Sequence, residues 1–123
     1  MKKRIIFRVA TTIVFTISLM TFSCTNEKVE EPNGCDTSNV KYSMDIAPII
    51  QSSCSNGCHN GTTPSAGFRL DSYAAIKVKV DQGRLYGAVA QLAGFSAMPV
   101  GGRLSDCNIS KIKAWVDAGA PNN

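Results

Sequence analysis

Two stretches without hydrophobic periodicity constrain this chain more than any of its helical segments do. Residues 55–67 are mostly Ser, Asn, Gly, Thr and Pro with few apolar side chains, and 94–102 are irregular again. Loops of that length in a small domain count against a simple three-helix bundle and suggest a chain that wraps something. Around them the periodicity is helical. Ser43 is a candidate N-cap, and Ile46, Ile49 and Ile50 mark one face of a short helix running toward Cys54, with Pro48 early in it. Asp71 or Ser72 can cap a short helix over 73–79. A further helix is expected over 83–92, with Leu85, Val89 and Leu92 on one side. The last helix has the strongest signature: Ser105 caps it, Ile109, Ile112, Trp115 and Val116 recur at helical spacing, and Gly119 with Pro121 stops it. No segment alternates as a strand does, and no internal repeat is visible. The expected class is all-α with long loops.

A chain of 123 residues has single-domain length, and a hydrophobic fraction of 44% excludes a wholly disordered charged tail. The formal charge of +4 is misleading as a guide to partners. Lys2, Lys3, Arg4 and Arg8 are four of the 13 basic residues, and residues 1–23 contain no acid; the nine basic residues that remain meet nine acidic ones. Residues 24–123 therefore balance at zero, and no nucleic-acid role is supported.

The cationic start is followed by an apolar stretch rich in small hydroxylated residues, which is the pattern of a secretory signal peptide over 1–23. The apolar run stays near or below the length of about 18–20 residues that a spanning helix needs. Cys24, in Ser-Leu-Met-Thr-Phe-Ser-Cys, resembles a bacterial lipoprotein cleavage site, at which this Cys becomes the lipidated first residue. Ordinary cleavage nearby, with Cys24 left free, is the alternative. Residues 24–40 begin with a polar stretch punctuated by Pro and Gly and read as a flexible tether. The domain itself is assigned to 41–123.

Cys54-Ser55-Asn56-Gly57-Cys58-His59 is the stretch that carries chemistry. Two cysteines followed at once by a histidine is the arrangement by which a haem is attached covalently, each thiol adding to a vinyl group while the imidazole reaches the iron. The usual spacing has two residues between the cysteines and this chain has three. Positions i and i+4 on a helical turn still face one way, and Gly57 gives the added residue freedom. Three other readings stay open: a Cys54–Cys58 disulfide, a zinc site with His59, or chance. Zinc would need a fourth ligand, and His59 is the single histidine. A haem iron held by one histidine commonly takes a methionine sulfur on its far side. Met98 lies in Ser96-Ala97-Met98-Pro99-Val100-Gly101-Gly102, where Pro99 stiffens the loop and the glycines let it turn. Met44, on the first helix, is expected to pack in the core.

From about Tyr42 to Asn123 the chain resembles the small class I-type cytochrome c domains of bacterial secreted proteins. The resemblance rests on Ile46-Ala47-Pro48-Ile49-Ile50 leading into Cys54, Cys58 and His59, on Met98-Pro99 with Gly101-Gly102-Arg103-Leu104-Ser105, and on the stretch from Ile112 to Ala120 around Trp115. It implies a cytochrome c-like fold in which three to five short helices and long loops surround one covalent haem c. First and last helices would cross, bringing the Ile46/Ile50 face to the Ile109/Trp115 face. Carried over, Cys54 and Cys58 are the thioether partners and His59 and Met98 the axial iron ligands. Cys35 and Cys107 are then left over, and a disulfide between them would pin the N-terminal arm to the last helix. Phe68 and Leu70 would line the haem pocket. Arg84 and Arg103 would either bond the haem propionates or lie solvated on the surface.

The function expected is electron transfer by a membrane-tethered monohaem cytochrome, with redox proteins as partners, the membrane reached through the lipid on Cys24, and a monomeric state. Localisation would be exported, facing periplasm or cell surface. Enzymatic catalysis is disfavoured, because no second histidine, carboxylate pair or nucleophile–base set is present. The competing class is a haem-free, disulfide-stapled lipoprotein module that binds a surface ligand or protein. A haem sensor or peroxidase-like site with Met98 unbound is a third possibility.

Overall fold

The computed structural model describes residues 34–123. The signal segment 1–23, the lipidation candidate Cys24 and tether residues 25–33 lie outside the described residues. Among those described, the chain is helical and contains no strand, and no helix is long and apolar enough to cross a membrane.

The first helix runs over 42–55 and changes pitch twice. A wide, π-type opening turn (Tyr42–Ile46) leads into α1 (Ala47–Ile50), which is followed by a π-type closing turn (Gln51–Ser55). Pro48 falls in the first turn of α1, directly after the wide opening turn. Ser43 does not cap this helix. Its backbone N–H donates to the Asn123 carbonyl at 3.0 Å, and the Tyr42 N–H donates to Asn123 Oδ1 at 2.8 Å. The orphan donors of the first turn are thus satisfied by a residue eighty positions away, and Asp45 reaches back to accept from the Lys41 N–H at 3.0 Å. Met44 is also not a core residue: it is 76% exposed, because the buried stripe passes through Ile46, Ile49 and Ile50 instead.

The later helices follow local signals closely. α2 (Tyr73–Asp81) is capped by Ser72, whose Oγ accepts from the Ala75 N–H at 3.3 Å. α3 (Arg84–Val89) starts after Gly83, held at φ 67°, and is shorter than its hydrophobic spacing predicts; Leu85 and Val89 are buried but Leu92 lies beyond its end and is exposed. α4 (Asp106–Asp117) is capped by Ser105, whose Oγ accepts from the Asn108 N–H at 3.2 Å. Gly119 at φ 86° ends it, and the Ala120 N–H returns to the Trp115 carbonyl at 2.9 Å.

α4 packs on the opening turn of the first helix and on α3, and α3 packs on α2. Ile46, Ile50, Ile112 and Trp115 form the most deeply buried part of one core that also takes in Leu70, Ile76, Leu85 and Val89. Tyr42 stacks on Trp115 at 5.8 Å between centroids and meets Tyr73 edge-on at 5.0 Å. Trp115 donates its indole N–H to the Pro121 carbonyl at 2.9 Å. Lys111 and Asp45 form an ion pair at 2.7 Å across the first and last helices. Cys35 is disulfide-bonded to Cys107 with the Cα atoms 5.5 Å apart, so the arm before the first helix is anchored at the start of α4.

Candidate functional site

The site is assembled where the first helix ends. Cys54 and Ser55 are buried in its closing turn, and the Ser55 hydroxyl donates to the Leu70 carbonyl at 2.5 Å, joining the helix end to the strand-like segment after the long loop. Burial, and secondarily the nearby Cys58 charge, pushes the Cys54 thiol up to about 11, so it stays protonated at neutral pH.

The helix does not continue to Cys58. Asn56 leaves helical geometry at ψ 107° and Gly57 turns left-handed at φ 84°. The expectation that the two cysteines share a helical face is therefore corrected: the added residue is taken up by a glycine turn. That turn is held by the Cys58 N–H donating to the Ser55 carbonyl at 3.2 Å and the His59 N–H donating to the Cys54 carbonyl at 3.0 Å. Cys54 and Cys58 are both free thiols, the first buried and the second exposed. Among the described residues no three His, Cys, Asp or Glu side chains converge on a point that could hold a metal ion, which leaves the zinc alternative without support.

His59 is buried, and its surroundings settle which of its nitrogens is available. Its Nδ1 lies 3.3 Å from the Phe68 carbonyl oxygen, an acceptor only, so Nδ1 carries the proton and donates. Among the described residues no hydrogen bond to its Nε2 is found. The Phe68 ring stacks on the imidazole at 4.2 Å and 17°, and the Leu70 N–H donates to the His59 carbonyl at 2.8 Å. Lys79, from α2, places its Nζ 4.0 Å from the centroid of the same Phe68 ring. Phe68 thus fixes the imidazole through both main chain and ring. The sequence marks Phe68 as an apolar residue soon after the motif, but nothing in it reveals the carbonyl contact or the ammonium of Lys79.

Met98 belongs to a separate loop. Its N–H donates to the Ala88 carbonyl at 3.1 Å, its bond to Pro99 is cis, and the Gln91 amide donates to the Gly102 carbonyl at 2.8 Å, closing the loop over 91–102. Leu92, Phe95 and Val100 on this loop are exposed, an unusual run of large apolar side chains next to Met98. Of the two arginines, Arg103 is paired with Asp106 and Arg84 is exposed at the start of α3. A cavity of about 220 Å³ lies elsewhere, lined by Tyr42, Gln51, Ser55, Asn56, Leu70 and Asp71 among others, and includes none of Cys54, Cys58, His59 or Met98. The structure therefore groups Cys54, Cys58 and His59 on one turn and carries Met98 on the loop that follows α3.

Compared with known proteins, the chain matches no family model, no curated protein and no solved structure.

Proposed function

We propose that this chain is a membrane-tethered monohaem cytochrome c that carries single electrons outside the cytoplasm. The observation that supports the reading is the His59 imidazole, held by Nδ1 on the Phe68 carbonyl, with no hydrogen bond to Nε2 among the described residues. An imidazole whose Nδ1–H is committed to a carbonyl has its tautomer and ring orientation set for metal binding through Nε2. On that donor chemistry the residues fit a covalently bound haem. Cys54 and Cys58 would hold it through thioether bonds, each S–H adding across one vinyl group, and His59 and Met98 would bind its iron.

When bound, the haem supplies a one-electron couple at its iron. The chain's own residues do the rest. Phe68 orients His59, and Leu70 and the buried face of Cys54 exclude water from the base of the motif. Leu92, Phe95 and Val100, exposed on the same loop as Met98, offer apolar surface that a large planar ligand would cover. No proton-transfer step is needed, so the absence of a second histidine fits an electron carrier rather than an enzyme. The partners would be redox proteins, the charge balance gives no support to a nucleic-acid role, and the domain would act as a monomer. Lipidation at Cys24 would hold it at a membrane, facing periplasm or cell surface.

The test is to express the full chain with cytochrome maturation factors and stain a denaturing gel for haem. Haem colour that stays with the denatured band supports the reading. A colourless band overturns it, in favour of a haem-free, disulfide-stapled lipoprotein module.

A further inference from the structure

The three-layer arrangement behind His59 has a consequence beyond ligation, and it rests on the cytochrome reading above. We propose that Lys79 is a positioning residue that raises the reduction potential of the site, its ammonium acting through the Phe68 ring on the His59 side of the iron. The geometry comes from two elements. Phe68 lies on the segment after the long loop and stacks on His59 at 4.2 Å; Lys79 comes from α2, with Nζ 4.0 Å from the centroid on that ring. Lys79 is half-buried, and its other polar contact is the Gln82 side-chain oxygen at 3.5 Å; among the described residues no carboxylate is paired with it. The other cation close in sequence, Lys77, is by contrast paired with Asp81.

A ferric centre carries one more positive charge than a ferrous one. A cation held on the proximal side therefore disfavours the ferric state and favours uptake of the electron that a redox partner delivers. The aromatic ring between ammonium and imidazole excludes water, which lowers the screening along that line. Because the ammonium itself is partly solvated, the effect is moderate and falls as salt is added. Phe68 has the second part of the role: its ring keeps the imidazole plane and the Lys79 chain in register, while its carbonyl holds the Nδ1 proton.

The test is a spectroelectrochemical titration of the haem-loaded protein at low and high ionic strength, comparing wild type with Lys79→Gln and Lys79→Arg. Lys79→Gln should lower the equilibrium constant for reduction about threefold, which is about 28 mV at 59 mV per tenfold for one electron. The shift should shrink in high salt, and Lys79→Arg should stay close to wild type, since guanidinium keeps both the charge and the contact with the ring. An unchanged potential in Lys79→Gln overturns the proposal while leaving the cytochrome reading in place. An equal fall in Lys79→Arg also overturns it, because packing rather than charge would then be responsible. Absence of haem from the wild-type protein sinks the underlying reading instead, and the haem stain identifies that case before any titration.

Discussion

Removing the Cys35–Cys107 disulfide is the perturbation whose size the structure sets most directly. The bridge joins residues 72 apart in sequence and encloses the first helix, the Cys54–His59 turn, α2, α3 and the Met98 loop. In the chain-entropy treatment, a closed loop of that length restricts the unfolded chain by about 4 kcal/mol at room temperature. Val40 packs against the core, and the Ser38 N–H and hydroxyl donate to Asp36 in a turn within the arm. The double variant Cys35→Ser/Cys107→Ser avoids leaving one reactive thiol behind. For a domain of this size, about 1 kcal/mol corresponds to roughly 4–8 °C in melting temperature, so the variant should melt about 15–30 °C lower. Thermal unfolding followed by far-ultraviolet circular dichroism measures this, and treating the wild type with dithiothreitol should reproduce the same fall. A drop below about 5 °C in both experiments would refute the reasoning, because the unfolded chain would then gain no freedom from opening the loop.

Three further outcomes are expected. Asp45 is held below its ordinary value of 3.8, chiefly by its hydrogen bond to Lys111 and then by the Lys41 N–H, so its contribution is present above pH 3.8 and is lost as the pH falls through the depressed native value. Asp45→Asn should therefore cost about 1 kcal/mol at pH 7 and flatten the decline in stability below pH 4, measured by urea unfolding across pH; an unchanged acid limb contradicts this. Met98→Ala should abolish the sulfur-to-iron charge-transfer absorption of the oxidised protein, and if the wild type lacks that band Met98 is not the ligand. Gly87→Ala would put its Cβ 2.5 Å from the Phe95 ring, which overrides a gain of about 1 kcal/mol in helix propensity. With Phe95 partly exposed and able to shift, we expect a net loss of about 1 kcal/mol by denaturant titration, and a stabilised variant would show that the ring moves freely.

What could be read in advance and what could not divide along a physical line. The cap Ser105, the stop at Gly119 and the buried faces of Ile46, Ile50, Ile109, Ile112 and Trp115 depend on side chains within a turn or two of one another, so spacing alone determined them, and it narrowed the α2 cap to Asp71 or Ser72, of which the structure uses Ser72. The same holds for the Cys54…Cys58-His59 motif and the all-α class. Local spacing misjudged Ser43 and Met44, because each is decided by what another part of the chain does, and Leu92, because the helix stops short of it. Asn123 supplies the partners for the first turn, the crossing of α4 chooses the buried stripe, and α3 ends before Leu92 because the Gln91 backbone turns left-handed at φ 57°.

The candidate site divides in the same way. The sequence by itself marked the candidate residues: two thiols, one imidazole and a methionine in a stiff loop. Only the tertiary structure decided how they are presented. Gly57 turns Cys58 out while Cys54 stays buried, and the Phe68 carbonyl claims one nitrogen of His59 and leaves the other. Lys79 comes to the Phe68 ring from a separate helix. Such contacts depend on where loops and helices meet in space, and loop paths are set by the closing of the whole core rather than by any local pattern.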